Sequence, residues 1–453
     1  MPEREPMAGV DAAWLRMERP TNLMMITGVL TFGDGLSAAA LKGLLEERLL
    51  RFHRFRQRVG DREGDPYWED DPYFDLDRHV HRLALPPPGD HRALEVLVSD
   101  LMNMPLDFGK PPWEMHLVEG YRGGSALIAR LHHCIGDGIA LIHVLIQMAD
   151  EYFEAEEAER GGAVEKRERG LLARLTRPVT KTVEAAGAVV HEGMELLLNP
   201  AHLAKRAQQG ASLSAALGKL ALMPSDSDTV FKGELSATKR AAWSEPLALD
   251  VVKAIAQRER AKINDVLLAA VAGALRRYLL AHDGEADDVT IRAAIPVNLR
   301  PLDRAHELGN RFGLVFLSLP VGMADPHARV AEVKRRMERL KRSAEAPVVL
   351  GLLQLAGSGP KVLQDELVRL LGDKTSAVMT NVPGPRERLH LAGAGLRNVM
   401  FWVPRAGTVS LGVSIISYAG TVLVGAASDA ALVPDPVLLI DGFHEEFRVL
   451  KAR

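Results

Sequence analysis

Leu131-His132-His133-Cys134-Ile135-Gly136-Asp137-Gly138 decides how this chain is read, because two histidines, an aspartate and two glycines break an otherwise apolar run. Upstream, Ser125 to Leu131 is rich in Ala, Leu and Ile; downstream, Ile139 to Met148 repeats apolar residues at helical spacing. That pattern predicts a strand, a short loop and a helix, with polar side chains presented at the strand end. There His133 can serve as a general base toward an alcohol, since a neutral imidazole titrates near ~6.5. Gly136 and Gly138 permit positive φ or close approach of a substrate to the backbone, and Asp137 can orient or neutralise a basic group. The same residues also read as a histidine pair packed in a core beside a helix-capping Asp137. Spacing alone does not choose between these readings.

Around the motif, 453 residues predict two to three domains with a large buried core. Hydrophobic residues at 47% and charged residues at 25% suit a folded soluble chain. A net charge of -3 and only 5% aromatic residues speak against a nucleic-acid partner. Cys134 is the one cysteine, which excludes an intrachain disulfide and a multi-cysteine zinc site and fits a reducing compartment. The N-terminal residues 1–7 have no apolar core, so they do not read as a signal peptide. Ala406 to Ser428 carries no charge and is long enough to span a bilayer. Its Val, Ile and Thr content, and Tyr418-Ala419-Gly420 in the middle, predict a hairpin of two strands instead.

In chain order, Asp11 to Leu15 reads as a capped short helix and Asn22 to Phe32 as a buried strand. Ser37 caps a helix predicted to reach about Phe52, whose last turn would place Arg51, His53, Arg54 and Arg56 at the negative end of the dipole; a phosphate site is the rival reading. Strand texture follows around Tyr67-Trp68 and over Val80 to Leu85, then a helix from His91 to Met102. Trp113, after Pro111-Pro112, reads as a packing anchor or as a substrate contact. Composition then shifts from acidic Glu151–Glu159 through Gly161-Gly162 into a basic, helical stretch from Lys166 to Leu222, ending at Pro224-Ser-Asp-Ser-Asp. The expected organisation is therefore 1–155, a connector over 156–228, and 229–453. Asn264 is placed to cap a helix from Ile263 to about Leu280. Asn381-Val382-Pro383-Gly384-Pro385 reads as a turn after a strand over Ser376–Thr380, and Pro436 to about Leu450 as a closing helix.

His132-His133, three residues, then Asp137-Gly138 resembles the signature of the chloramphenicol acetyltransferase-like acyltransferases. Pro105-Leu106-Asp107 to Trp113-Glu114 (with Pro112 where a leucine is usual), Trp243-Ser244-Glu245-Pro246, Asn264-Asp265 and Asn381-Val382-Pro383 narrow this further. Together they resemble the bacterial wax ester synthase/diacylglycerol acyltransferase family over nearly the whole chain. The resemblance implies an α/β fold of two similar halves around a central tunnel, joined by a helical connector, with one active site between them. It implies an O-acyltransferase of lipid and glycerol metabolism that moves a long acyl group from acyl-CoA to a fatty alcohol or diacylglycerol, giving wax esters or triacylglycerols. His133 would be the general base, and His132, Asp137 and Gly138 would have structural roles. Asn264 would bind the oxyanion or merely cap its helix, and Trp113, Asn381 and Pro383 are candidates for the tunnel wall. Acyl-CoA enters as a substrate, and no metal or bound cofactor is implied.

A covalent route through Cys134 is the alternative mechanism, set aside because a continuing strand would turn Cys134 away from His133. A metal site from His132, His133, Asp137 and His143 fares worse, since adjacent histidines on a strand diverge. A condensation-type enzyme of another pathway and a non-catalytic lipid binder remain the alternative functions. A cytoplasmic protein associated peripherally with membrane or lipid droplets is expected. Lys166 to Lys219 would be either the amphipathic contact or a linker packed on the domains.

Overall fold

The computed structural model describes residues 4–153 and 222–452, apart from 63, 283, 288, 300–307, 342, 344 and 359–360. The predicted linker at Gly161-Gly162, the basic stretch Lys166–Lys219 and Arg300-Pro301 lie outside the described residues.

The first part runs β1 (Glu5–Pro6), α1 (Gly9–Met17), β2 (Met25–Phe32), α2 (Ala38–Glu47), β3 (Gln57–Arg62), β4 (Asp65–Asp70), β5 (Val80–Ala84), α3 (His91–Met102), β6 (Trp113–Tyr121), β7 (Gly124–His132) and α4 (Gly138–Met148). The second runs β8 (Lys239–Trp243), β9 (Leu247–Ala248), α5 (Leu249–Arg258), α6 (Ile263–His282), β10 (Ile291–Asn298), β11 (Phe312–Leu319), α7 (Pro326–Leu340), α8 (Glu345–Ser358), α9 (Lys361–Asp373), β12 (Ala377–Pro383), β13 (His390–Leu391), β14 (Ala394–Trp402), β15 (Leu411–Tyr418), β16 (Thr421–Asp429) and α10 (Pro436–Lys451). Among the described residues these form a mixed α/β fold with two large sheets and a small one, β1-β4-β3.

β7 is apolar through its middle, Ala126 to Ile128, where both of its faces are buried. It lies inside the sheet β13-β14-β2-β7-β6-β5. Leu127 and Leu131 pack with Leu41 and Leu45 of α2 and Val144 of α4. On the other face, Ala126 and Ile128 pack with Leu94 and Val98 of α3 and with Trp243 and Trp402. The second sheet runs β11-β10-β12-β15-β16-β8, with β9 beside β16. β15 and β16 are the hairpin predicted within Ala406–Ser428, and no helix among the described residues is long and apolar enough to cross a membrane.

A division at residue 229 does not separate the sheets. β14 leaves the second part and pairs antiparallel with β2, from Leu396 opposite Phe32 to Trp402 opposite Thr27. Without it, β2 would be an open edge of unpaired backbone groups. Asp226, counted with the connector, is also tied to the second part: its Oδ2 accepts from the Arg292 backbone N–H and from Ser376 Oγ. The helix begun at Ser37 ends at Glu47, and two 3₁₀ turns carry the basic residues that follow. His53 and Arg54 face carboxylates there, Asp70 at 2.6 Å and Glu5 at 2.8 Å, so neither waits for a phosphate.

Candidate active site

β7 stops at His132, and residues 133–137 turn the chain into α4, whose N-cap is Asp137. The Asp137 Oδ1 accepts from the Ala140 N–H at 2.9 Å, satisfying one of the open donors of the first turn. Its Oδ2 accepts from the Arg311 N–H at 3.0 Å, reaching into the second part of the molecule. One carboxylate therefore both starts the motif helix and holds the opposite wall. The helix start packs directly on β14: a Cβ at Gly138 would lie 3.4 Å from the Phe401 ring, an ordinary contact distance.

His132 and His133 occupy different environments. The His132 Nδ1 accepts from the Cys134 N–H at 3.2 Å, which puts the ring proton on Nε2, 3.5 Å from a Glu18 carboxylate oxygen. That oxygen also accepts from the Met24 N–H, and the Phe108 ring stands edge-on to His132 at 5.1 Å. His133 is 3% exposed and stacks on Trp14 of α1, with centroids 4.1 Å apart and planes 19° apart. Phe312, at the start of β11, lies 5.9 Å from it. Burial pulls the His133 imidazole down to about 3, His132 pushes the same way, and the Asn310 side chain opposes the shift. The ring is thus neutral at physiological pH. Its Nδ1 is buried with no hydrogen-bond partner.

The seam opposite His133 is built by Gly309-Asn310-Arg311. Gly309 has φ +98°, bridges to Gly136, and donates its N–H to the Ile135 carbonyl at 3.2 Å. A side chain there would be strained by that φ. The Asn310 Nδ2 donates to the His133 carbonyl at 2.7 Å and to Asp11 Oδ1 at 2.8 Å, and the Asn310 N–H reaches the same oxygen at 3.1 Å. Burial pushes the Asp11 carboxyl up to about 6 against those hydrogen bonds. Asp11 is therefore not the cap of its helix: α1 begins at Gly9, and the carboxylate faces the second part. The sequence alone gives no site role to Asp11, Trp14, Glu18 or Asn310.

The remaining expected residues divide. Asn264 does not cap α6; it is the second helical residue, and Asp265 Oδ2 instead accepts from the Lys262 N–H at 2.9 Å. The Asn264 Oδ1 accepts from Asn381 Nδ2 at 2.6 Å, joining two of the family-like stretches. Asn381, Val382 and Pro383 form no turn: they finish β12, paired in parallel with Ile415, Ile416 and Ser417, the Gly384 N–H still donates to the Ser417 carbonyl at 2.7 Å, and the chain bends only at Arg386-Glu387. Among the described residues no hydrogen bond or ring contact links the Asn264–Asn381 pair to His133. Trp113 is corrected from wall candidate to core anchor, being fully buried, stacked on His79 at 4.3 Å, and donating Nε1–H to the Phe55 carbonyl at 2.8 Å. Cys134 also needs a different argument, because β7 ends before it. It is 1% exposed and burial raises its thiol pKa well above the ordinary value, so it holds no ready thiolate.

Between α2, α4 and the β2–β7 face of the first sheet lies a cavity of about 90 Å³, walled almost wholly by carbon. Leu131 and Gly138 of the motif line it together with Leu41, Leu141, Leu145 and Phe401. An alkyl chain suits such a lining and a charged group does not.

Residues 7–267 match the profile of the wax ester synthase/diacylglycerol acyltransferase catalytic domain, and residues 308–451 that of the WS/DGAT C-terminal domain. A Mycobacterium tuberculosis protein named "Probable diacyglycerol O-acyltransferase tgs1" is 31% identical over 98% of this chain and 95% of its own length. Among solved structures, the wax ester synthase/diacylglycerol acyltransferase from Marinobacter aquaeolei superposes with a TM-score of 0.69 at 21% identity, covering 98% of both chains. The first condensation domain of the calcium-dependent antibiotic synthetase gives 0.62 at 16% identity, over 100% of this chain and 97% of that one. The last two likenesses carry the two-part chloramphenicol acetyltransferase-like fold.

Proposed function

The chain belongs to the wax ester synthase/diacylglycerol acyltransferase family, and from that premise we propose that it moves a long-chain acyl group from acyl-CoA to the hydroxyl of a fatty alcohol or a diacylglycerol. It is an acyltransferase, and the products are wax esters or triacylglycerols. The observation that carries this reading is His133, neutral and buried at the meeting of the two parts, its ring fixed by Trp14 and its backbone by Asn310.

In the proposed step, His133 Nε2 takes the hydroxyl proton as the alcohol oxygen attacks the thioester carbonyl in a ternary complex. The tetrahedral oxyanion then collapses, the C–S bond breaks, and the imidazolium returns its proton to the departing thiolate of coenzyme A. A group held near 3 is a weak base; the negative charge that develops on the substrate favours the imidazolium and offsets that weakness. Asn264 is the candidate oxyanion donor: Asn381 occupies its carbonyl oxygen, so its amide nitrogen is the open end. The carbon-walled cavity beside Gly138 supports an acyl or alkyl substrate. Such substrates are nearly insoluble in water, which favours peripheral work at a membrane or lipid-droplet surface in the cytoplasm. Thiol release from palmitoyl-CoA tests the reading: it should require added hexadecanol or dioleoylglycerol and yield the matching ester. Hydrolysis unaffected by either acceptor would overturn it.

A further inference from the structure

The outer strands of the first sheet carry a second cluster that acyl transfer does not use. β5 and β6 run parallel with His81 directly opposite His116. Glu114 precedes His116 by two residues, so the three side chains project from one face. One ligand atom from each, two imidazole nitrogens and a carboxylate oxygen, lie within 4.8 Å of one another, and the two rings are 5.1 Å apart. His116 is 6% exposed and its Nδ1 has no hydrogen-bond partner. A buried polar atom left bare is costly, so this nitrogen is poised for a ligand. His81 and His116 also line a groove of about 1080 Å³, together with Asp100 and Met104.

We propose that His81, His116 and Glu114 bind a divalent first-row transition ion, zinc foremost, with its remaining coordination positions open to the groove. Two imidazoles and one carboxylate are a borderline-soft donor set that suits zinc, nickel or cobalt and does not suit calcium or magnesium, which prefer oxygen. Zinc takes such nitrogens and oxygens at roughly 2.0–2.2 Å, so donors this close need only side-chain rotation to converge.

Glu114 already meets Arg130 at 2.9 Å through Oε2 and Lys110 at 3.2 Å through Oε1. An ionised carboxylate has about four lone-pair sites, so both contacts can persist while one oxygen turns a further lone pair to the ion. The two cations then act as the outer shell that orients the carboxylate. Their charge also repels the ion, so the site is expected to be weaker than a closed structural zinc site.

The test uses full-length, tag-free protein stripped with a chelator and titrated with cobalt(II) while its visible d–d bands are followed. One cobalt per chain, displaced by zinc, is expected. His81→Ala should weaken binding tenfold or more, and this partly exposed position on an outer strand is expected to tolerate the change without loss of fold. His116→Ala should do the same, with circular dichroism checking that its buried position has not cost the fold. His53→Ala, remote from the cluster and on the surface, should bind as wild type. Absence of the bands at cobalt in excess, or binding by His81→Ala equal to wild type, would overturn the proposal.

Discussion

Two seams between the parts of this molecule invite comparison, one beside β14 and one at the His133 motif, and both mix apolar packing with hydrogen bonds: Glu95 accepts from the Trp243 N–H at the first, and Trp14 and Met17 pack with Phe312 and Leu350 at the second. At the first, β14 completes the first sheet beside β2, and Trp402 meets Trp243 edge-on at 5.4 Å among Val29, Ile128 and Ile416. At the second, Asp11, His133 and Asp137 face Asn310 and Arg311 through hydrogen bonds. Apolar burial contributes about 25 cal/mol per Å² without regard to direction, so the first seam helps hold the parts together. A hydrogen bond nets only about 0.5–1.5 kcal/mol but demands geometry, so the second seam sets where the His133 ring sits. The polar contacts thus position the ring, while adhesion is shared between the β14 seam and the cluster of Trp14, Phe312 and Leu350.

The largest separation is expected at His133. His133→Ala should lower turnover by about 10²–10⁴-fold, the range a positioned general base supplies, while the folded population survives because the β14 seam is untouched. Cys134→Ser should keep most activity, because a buried thiol with a raised pKa offers no nucleophile. Trapping an acylated Cys134 in wild type, with a dead Cys134→Ser, would move the chemistry to the thiol. Trp402→Ala makes the complementary break: stability should fall by about 3–5 kcal/mol in urea titrations, with turnover per folded molecule little changed. A Trp402→Ala protein that is stable but inactive would show that the apolar seam also positions the site.

Asn310→Ala should give a smaller effect of mixed kind. It removes the donor shared by Asp11 and the His133 carbonyl, for about 1–3 kcal/mol of stability, and frees the loop to drift. A kcat that falls while KM holds would mark positioning. Loss of stability with unchanged kcat would reduce Asn310 to a structural tie.

Much of the first seam's scaffolding was legible along the chain. β7, α4 and the β15–β16 hairpin follow from local periodicity and texture, and α3 covers its expected span, His91 to Met102. What escaped was everything whose partner is distant. Asp11 and Asn310 are separated by 299 positions, and an aspartate near a helix start looks like a cap until its partner is known. β14 has the alternation of any strand, and nothing local says that it joins the other sheet. Asn264 was assigned to its own helix because its partner, Asn381, lies in another strand-end stretch. His81 and His116 sit in separate strands whose parallel register alone brings them together. Trp113 was ambiguous because a tryptophan after two prolines fits a wall as well as a core.

The smallest expected effect is the most telling about the polar seam, because it has a sign. Asp11 is held up near 6 in the folded protein, above the ~3.8–3.9 of an unfolded aspartate. The folded state therefore binds this proton more tightly, and the contribution to stability is full below about 4 and lost as pH rises to about 6. His133 runs the other way: with a folded value of about 3 against about 6.5 unfolded, its contribution is full above 6.5 and lost as pH falls toward 3. Over pH 4 to 6 the two slopes oppose each other, so wild-type stability should vary little from this pair. Asp11→Asn keeps an acceptor for the Asn310 donors but cannot ionise, which leaves the His133 slope exposed. Its unfolding free energy should therefore gain on wild type between pH 4 and 6 and run parallel above 6, in urea titrations at pH 4.5, 5.5 and 7. If the variant instead loses ground as pH rises, the ionised Asp11 is the favoured partner of Asn310. The seam would then be held by a charge-assisted pair in place of a buried acid.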